Sequence, residues 1–440
     1  MKKQNKMDLS NEREVSLRIF TNAIDNNYQL SDELTFFEKN FQVEKSKINF
    51  AYEITEGLLK NLILIDEYIN ILTKNKKLDT NILNIIRLGI YQILFTNSPE
   101  FASVNESVNL AKKYSHEGGV KFVNAILRNF LRKKDELSKI IDGYEFYKRI
   151  SIKNSIPSWI IDYWKTFINK DELEALAYSM NEKPVLYLRI NTLKVEIDAF
   201  KSLLLENEIK YSETNLNDVL KIEQKISVKE IKGYEDGFFY IQDLAAASIA
   251  HILNPKENDI ILDFCSFPGG KTSHISQLMN NKGKIYAIDS NKNREKVFIE
   301  NISKLGCKNI ETLITNAEEP FIKNIMADKI LVDPPCSGLG VMRKKPEIRY
   351  RRKKEDILRL VDIQNKILEN ASNYLKIGGE LVYSTCTISK EENEKVITNF
   401  LENNKNFKLE KIFIEKEFVS FFPSIDKTDG FFVAKIKRIL

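Results

Sequence analysis

The chain reads as three domains of different class: an all-α N-terminal bundle over residues 1–145, a small α+β connector over 150–238, and a C-terminal α/β domain over 239–440. The last is expected to hold a Rossmann-like, doubly wound sheet with an antiparallel last strand. Three observations predict this. Apolar residues recur at intervals of three and four through the first third, the spacing of amphipathic helices. A strand-like and a helix-like run then share one short segment. From residue 240 onward short apolar runs alternate with amphipathic stretches, and such alternation implies a parallel sheet covered on both faces.

In the first domain the helical stripes are REVSLRIFTNAI, FAYEITEGLLKNLILIDEYINIL, TNILNIIRLGIYQILF and VNAILRNFLRKK. Ser98 and Pro99 punctuate the pattern, and Gly118 with Gly119 is expected to break it before the last helix. In the connector, YLRINTLK reads as a strand bounded by Pro184, and VEIDAFKSLLLENEI as the helix after it. The third domain opens on a helix, LAAASIAHIL. Its strand candidates are DIILDFCS, GKIYAIDS, NIETLIT, DKILVDPP, GELVYSTC, FKLEKIF and FFVAKIKR, with helix-length patterns between the first six. A loop carrying Pro423 and Gly430 joins the last two with no evident helix, so the final strand is expected to return antiparallel.

Composition excludes several classes. The 43% hydrophobic and 29% charged content is that of a folded protein, and no apolar run approaches the roughly 20 residues that span a bilayer. The polar start MKKQNKMDLSNEREV lacks the apolar stretch of a signal peptide, so a cytoplasmic protein without membrane association is expected. The four cysteines, Cys265, Cys307, Cys336 and Cys386, form no CxxC pair, and the three histidines are scattered, so neither metal site nor disulfide framework is indicated. Reduced thiols are then available for chemistry.

Two of those thiols end strand candidates. A cysteine where a buried strand gives way to a loop stands at the carboxyl edge of the sheet, where open α/β sheets bind ligands. The fourth strand delivers Asp333, two prolines, Cys336 and Gly338; the fifth delivers Ser384, Thr385 and Cys386. Successive strands would gather Asp333, Cys336 and Cys386 around one cleft. The paired prolines fix the backbone and withhold two donors, giving a rigid turn. A nucleophilic thiol is the chemistry this suggests.

The first strand ends in DFCSFPGGKTSHIS, where a glycine pair between strand and helix lets the backbone approach a ligand and the helix offers unpaired amides. Cys265 occupies the first glycine position of a Walker A loop, and GxGxxG is absent. Asp289 at the end of the second strand stands where a carboxylate meets a ribose diol, which favours an adenosine-containing cofactor. Residues 343–354, RKKPEIRYRRKK, hold eight basic residues in twelve directly after the Cys336 loop, and a phosphate-contacting surface is expected there.

Taken in order, DFCSFPGGKT, VDPPCSG and STC resemble the motifs of the RNA cytosine-5 methyltransferases. YLRINT with Arg189 and Asn191, YIQDLAAAS with Gln242 and Asp243, and DGFFVAKIKR extend the likeness, while IRLGIYQILF, VNESVNLAKKY and FVNAILRNFLR are similar to a NusB-type RNA-binding domain. The resemblance covers nearly the whole chain and implies a class I methyltransferase sheet using S-adenosyl-L-methionine. It implies Cys386 as the nucleophile toward cytosine carbon 6, Asp333 on the cytosine edge, and Cys336 assisting loss of the carbon-5 proton. It further implies a cofactor site of Cys265, Ser266, Phe267, Pro268, Gly269, Gly270, Lys271, Asp289, Asn316 and Asp333, with no metal. RNA contacts are implied for Arg189, Asn191, Arg343, Lys344, Lys345, Arg349, Arg351 and Arg352. The family's usual DxCAAPGGK loop carries Ser266 and Phe267 here, the Phe being expected to narrow the cofactor pocket, and Asn316 replaces an acid.

The pairing of domains resembles enzymes acting on small-subunit (16S) ribosomal RNA, and a monomer is expected. The same reaction on tRNA or another rRNA site stays open, as does a non-catalytic RNA-binding or antitermination factor. Retention of Asp333, Cys336 and Cys386 argues against the last.

Overall fold

The computed structural model describes residues 11–25, 30–40, 44–320, 325–412 and 416–440. Two compact units divide the chain: Met1–Glu182 with the excursion Met342–Lys353, and Lys183–Val341 with Lys354–Leu440.

The first unit is helical in its described residues. Long helices Glu12–Asp25, Lys45–Lys60, Thr80–Phe95, Glu100–Tyr114 and Glu117–Asp142 carry the periodic stripes, which bury Val15, Leu58, Ile85, Leu127 and Phe130 in one core. Local chemistry sets their starts. Asp79 accepts the amides of Asn81 and Ile82, and Pro99 stands just ahead of its helix. Gly118 and Gly119 do not break the pattern; they form the first turn of Glu117–Asp142, capped when His116 Nδ1 accepts the Gly119 amide. A Cβ at Gly119 would lie 2.0 Å from Ser115 Oγ and 2.9 Å from Ile82, so a side chain there would require both neighbours to shift. The helices Phe146–Lys153, Ser158–Trp164 and Lys170–Ser179 also belong to this compact unit.

The second unit holds two sheets. The smaller comprises β1 (Leu186–Ile190), β2 (Tyr211–Glu213), β3 (Val219–Ile222) and β4 (Phe239–Ile241) in order β2-β3-β1-β4, every pair antiparallel. Helix Ile197–Glu206 packs Phe200 and Leu204 against it.

The larger sheet contains β5 (Ile260–Phe264), β6 (Lys284–Asp289), β7 (Ile310–Ile314), β8 (Ala327–Val332), β9 (Leu375–Thr385), β10 (Phe407–Glu410), β11 (Phe418–Phe421) and β12 (Phe431–Arg438). Its order is β10-β12-β9-β8-β5-β6-β7, with β11 on β12. Strands β5 to β9 pair in parallel, and β12 runs antiparallel to β9 with Val433 opposite Ser384. Strand β11 and a short helix, Pro423–Asp426, occupy the loop read as featureless. Among the described residues no helix joins β7 to β8, where a helix-length pattern was expected.

Alternation along the strands fills both faces. Leu262, Val332, Tyr383 and Phe432 meet helices Lys354–Ser372 and Glu394–Asn403 on one side, while Ile261, Leu331, Val382 and Val433 meet helix Leu244–Leu253 on the other. The chain steps outward from β5 to β7 and then returns to β8. That reversal places a switch point at the carboxyl ends of β5 and β8.

Candidate active site

The switch point gathers the thiols. Strands β8 and β9 are neighbours in register, with Val332 opposite Tyr383, so the residues just beyond both ends converge. Cys336 Sγ and Cys386 Sγ lie 3.1 Å apart. The Cys386 carbonyl accepts the Gly340 amide and the Gly340 carbonyl accepts the Gly430 amide, tying the two loops and the entry to β12 together. A Cβ at Gly340 would meet the Gly430 carbonyl at 2.0 Å, so this crossing needs a bare backbone. The Cys336 thiol is pushed well above its ordinary range, first by its contact with Cys386 and then by burial.

Asp333 stands beside them. Lys271 Nζ donates to its Oδ2 at 2.6 Å and Ser384 Oγ to its Oδ1 at 2.9 Å. Behind this pair, Asp263 is fully buried and accepts the Thr272 hydroxyl at 2.6 Å. Burial pushes its carboxyl up to about 7, with the Thr272 bond opposing and the Asp333 charge adding to the rise.

Four features of the β5 loop fit an adenosine-containing cofactor. Gly269 adopts a left-handed φ of +98°, opening the first turn of helix Gly270–Leu278. Cys265 is also left-handed, at φ +62°, which bends the chain sharply off β5. Asp289 accepts the Phe267 amide at Oδ2 and the Asn291 amide at Oδ1, and each oxygen keeps a second lone pair for a ribose hydroxyl. Ser266 donates to the Ile288 carbonyl, fastening the loop to β6.

Two departures have structural explanations. The Phe267 ring turns inward onto Phe298, with ring centroids 4.5 Å apart, and packs among Ala287 and Ile302. It therefore does not narrow a pocket over the loop; its amide is the group presented to Asp289. The Asn316 side chain caps its own turn, accepting the Glu318 amide and donating to Glu319.

The residues expected on RNA divide sharply. Arg189 is fully buried, and its guanidinium donates to Gln242 and the Gly270 carbonyl at 2.6 Å and to Ser273 at 2.9 Å. It braces the cofactor-loop helix. Asn191 is buried too, donating to the carbonyls of Gly237 and Leu305. In the first unit, Arg349 donates to the carbonyls of Asn154 at 2.8 Å and Met180 at 2.7 Å, and the Tyr350 hydroxyl reaches the Leu59 carbonyl at 2.5 Å. Arg343 is likewise buried. All four side chains lie in the interior, where Arg189, Asn191 and Arg349 donate to carbonyls that would be costly to bury without donors. Lys345 is exposed, and Lys344, Arg351 and Arg352 are half-buried.

Sequence reasoning missed two clusters. Glu392, Gln364, Ser337 and Thr387 form a buried network behind the thiols. Two histidines read as scattered meet at Asp218, whose carboxylate contacts His251 Nε2 at 2.9 Å and His274 Nε2 at 2.8 Å. Burial and the Arg189 cation hold the His274 imidazole down at about 4. Although burial opposes it, the two imidazole contacts hold Asp218 far below the usual carboxylate range. With that cation alongside, the charges favour a hydrogen-bonded joint between the β2–β3 turn and helix Gly270–Leu278.

Comparisons with known proteins agree with this geometry. Residues 250–437 match the model of the 16S rRNA methyltransferase RsmB/F family, residues 10–132 that of the NusB family, and residues 156–229 an RsmF/B-like ferredoxin-like domain. The probable ribosomal RNA small subunit methyltransferase B of Bacillus subtilis (strain 168) is 32% identical over 88% of this chain and 89% of its own. The ribosomal RNA small subunit methyltransferase B of Proteus mirabilis (strain HI4320) is 31% identical over 97% of this chain and 99% of its own. Among solved structures, that of PH0851 covers 96% of this chain and 98% of its own with a TM-score of 0.78 at 27% identity. NSun6 from Pyrococcus horikoshii with SFG covers 63% of this chain and 97% of its own with a TM-score of 0.59 at 28% identity. The helical domain, the antiparallel small sheet and the thiol-bearing mixed sheet thus have one common account: the chain belongs to the ribosomal RNA small subunit methyltransferase B family of methyltransferases.

Proposed function

We propose that the protein transfers a methyl group from S-adenosyl-L-methionine to carbon 5 of one cytosine in small-subunit (16S) ribosomal RNA, through a covalent bond between Cys386 and the base. The observation that carries this is the pair of thiols 3.1 Å apart at the switch point, with Asp333 alongside. The cofactor supplies a methyl group on a positively charged sulfur. Asp289 would hold its ribose, and the loop of Ser266, Phe267, Pro268, Gly269, Gly270 and Lys271 would line its site. SFG, bound in the NSun6 structure, is an analogue of that cofactor, which supports the assignment.

Carbon 5 of cytosine is a weak nucleophile. Addition of the Cys386 thiolate to carbon 6 moves electron density onto carbon 5, which then takes the methyl group. Asp333 faces nitrogen 3 and the amino group, where charge changes during the addition. Before addition, the neighbouring Cys386 keeps Cys336 protonated. Once Cys386 is bonded to carbon its contribution to the rise at Cys336 is gone while burial remains, and Cys336, after giving its own proton to solvent, accepts the one on carbon 5. The carbon-6 bond to sulfur breaks as the ring regains its double bond.

The target base must leave its stack to reach both thiols, which favours a single-stranded or flipped cytosine. Lys344, Lys345, Arg351 and Arg352, with the exposed Lys353 and Lys354, are the basic residues of their segment that reach solvent and would meet phosphates. Bisulfite sequencing of ribosomal RNA with and without the gene tests this reading. One cytosine should change from protected to converted on loss of the gene; identical conversion in both would refute it.

A further inference from the structure

A buried carboxylate that the reaction above does not use joins the two thiol loops. Glu392 is 0% exposed. Its Oε1 accepts the Ser337 amide at 2.7 Å and Gln364 Nε2 at 3.1 Å, and its Oε2 accepts the Ser337 hydroxyl at 2.6 Å. Ser337 follows Cys336. The Thr387 hydroxyl lies 2.6 Å from Ser337 Oγ, and Thr387 follows Cys386. Ser337 has one hydroxyl proton, which goes to the carboxylate, so Thr387 donates to Ser337.

The preceding residues are held by the same group of side chains. Gln364 donates its other amide proton to the carbonyl of Pro335, just before Cys336. Asn393, adjacent to Glu392, accepts the Thr385 hydroxyl and donates to the Thr387 carbonyl at 3.1 Å, so it grips both sides of Cys386. Tyr383 anchors the arrangement by donating to the Glu392 carbonyl at 2.8 Å.

Burying a carboxylate is costly unless donors surround it, and an apolar side chain would fill this seam at less expense. What the carboxylate adds is direction: the donors of Ser337 and Gln364 must all point at two oxygens, and Thr387 of the other loop joins them through Ser337. We infer that Glu392 is a positioning residue that fixes the spacing of Cys336 and Cys386, and through it the step that frees the product from the enzyme. The catalytic half of this inference rests on the methyl-transfer reading; the spacing half does not.

The test separates the two. Diamide oxidises the full-length protein at neutral pH: the two thiols form one disulfide, and their hydrogens reduce the azo reagent to the hydrazine. Peptide mapping reads the rate of the Cys336–Cys386 bridge without RNA or cofactor. Glu392→Gln keeps the shape but turns an amide group toward donors. It should slow the bridge at least tenfold while circular dichroism stays native. In reactions with RNA, the covalent adduct should accumulate while the cofactor KM stays within about twofold, a split that general loosening would not give. Ser337→Ala and Thr387→Val, which leave the carboxylate and its amide bond in place, should give smaller changes in the same direction, and they decide the matter if Glu392→Gln does not fold. Native bridging rates in the folded variants would overturn the inference. Slowed bridging with no adduct in any protein, wild type included, would uphold the role of Glu392 and refute covalent methyl transfer.

Discussion

Lys271 Nζ and Asp333 Oδ2 lie 2.6 Å apart, so the loop after β5 holds the carboxylate that stands beside the two thiols. The pair is largely shielded from water, and Ser384 fixes the other carboxylate oxygen. The loop after β5 and Asp333 are thereby one unit.

Lys271→Met should loosen that unit. A hydrogen bond between charged groups contributes about 1.5–3 kcal/mol, so methyl transfer should fall by roughly ten- to a hundred-fold. Measured kcat/KM with each substrate varied in turn checks this; an unchanged value for both would remove Lys271 from the site.

Asp263 gives a stability prediction with a definite sign. Its carboxyl ionises near 7 in the fold and near about 4 in the unfolded chain. Between those values the folded protein retains a proton the unfolded chain has released, so stability falls as pH rises from about 4 to 7 and is level above. Asp263→Asn keeps an acceptor for Thr272 and removes that slope. Its advantage over wild type should therefore grow from near zero at pH 4 to at most about 4 kcal/mol at pH 8. Urea unfolding across the range measures it, and an advantage independent of pH would contradict the account.

The basic segment should divide into two functions. Arg349→Met removes the donor to the Met180 carbonyl and leaves the Asn154 carbonyl with Asn181 alone, so unfolding of the helical unit should become about 3 kcal/mol easier. Lys345→Ala should leave unfolding unchanged, weaken RNA binding and lower its salt dependence by about one charge. Equal effects of both on stability would show that the two residues do not differ in role.

Much of this was legible in the sequence because alternation and periodicity are burial patterns. The strand-ending thiols Cys336 and Cys386 were found that way, while the antiparallel return of β12 followed from the lack of a helix-length pattern in the loop before it. Charge was read less well. Arg189, Arg343 and Arg349 look like surface residues in one dimension, yet all three are buried, and the carbonyls that Arg189 and Arg349 serve are brought near only by folding; Asn154 and Met180 are 195 and 169 positions from Arg349. Phe267 misled for a related reason, since the sequence gives no sign of which way a loop side chain turns. Glu392 stayed hidden because EENEK distinguishes none of its acids, although only Glu392 lies fully inside.

The most direct measurement is the fate of RNA on a denaturing gel after incubation with Cys386→Ala, Cys336→Ala and wild-type protein in the presence of cofactor. Cys386→Ala should form no covalent adduct with small-subunit ribosomal RNA, and Cys336→Ala should accumulate one that the wild type turns over. An adduct with Cys386→Ala and none with Cys336→Ala would contradict the assigned roles, and none with any of the three would contradict covalent catalysis.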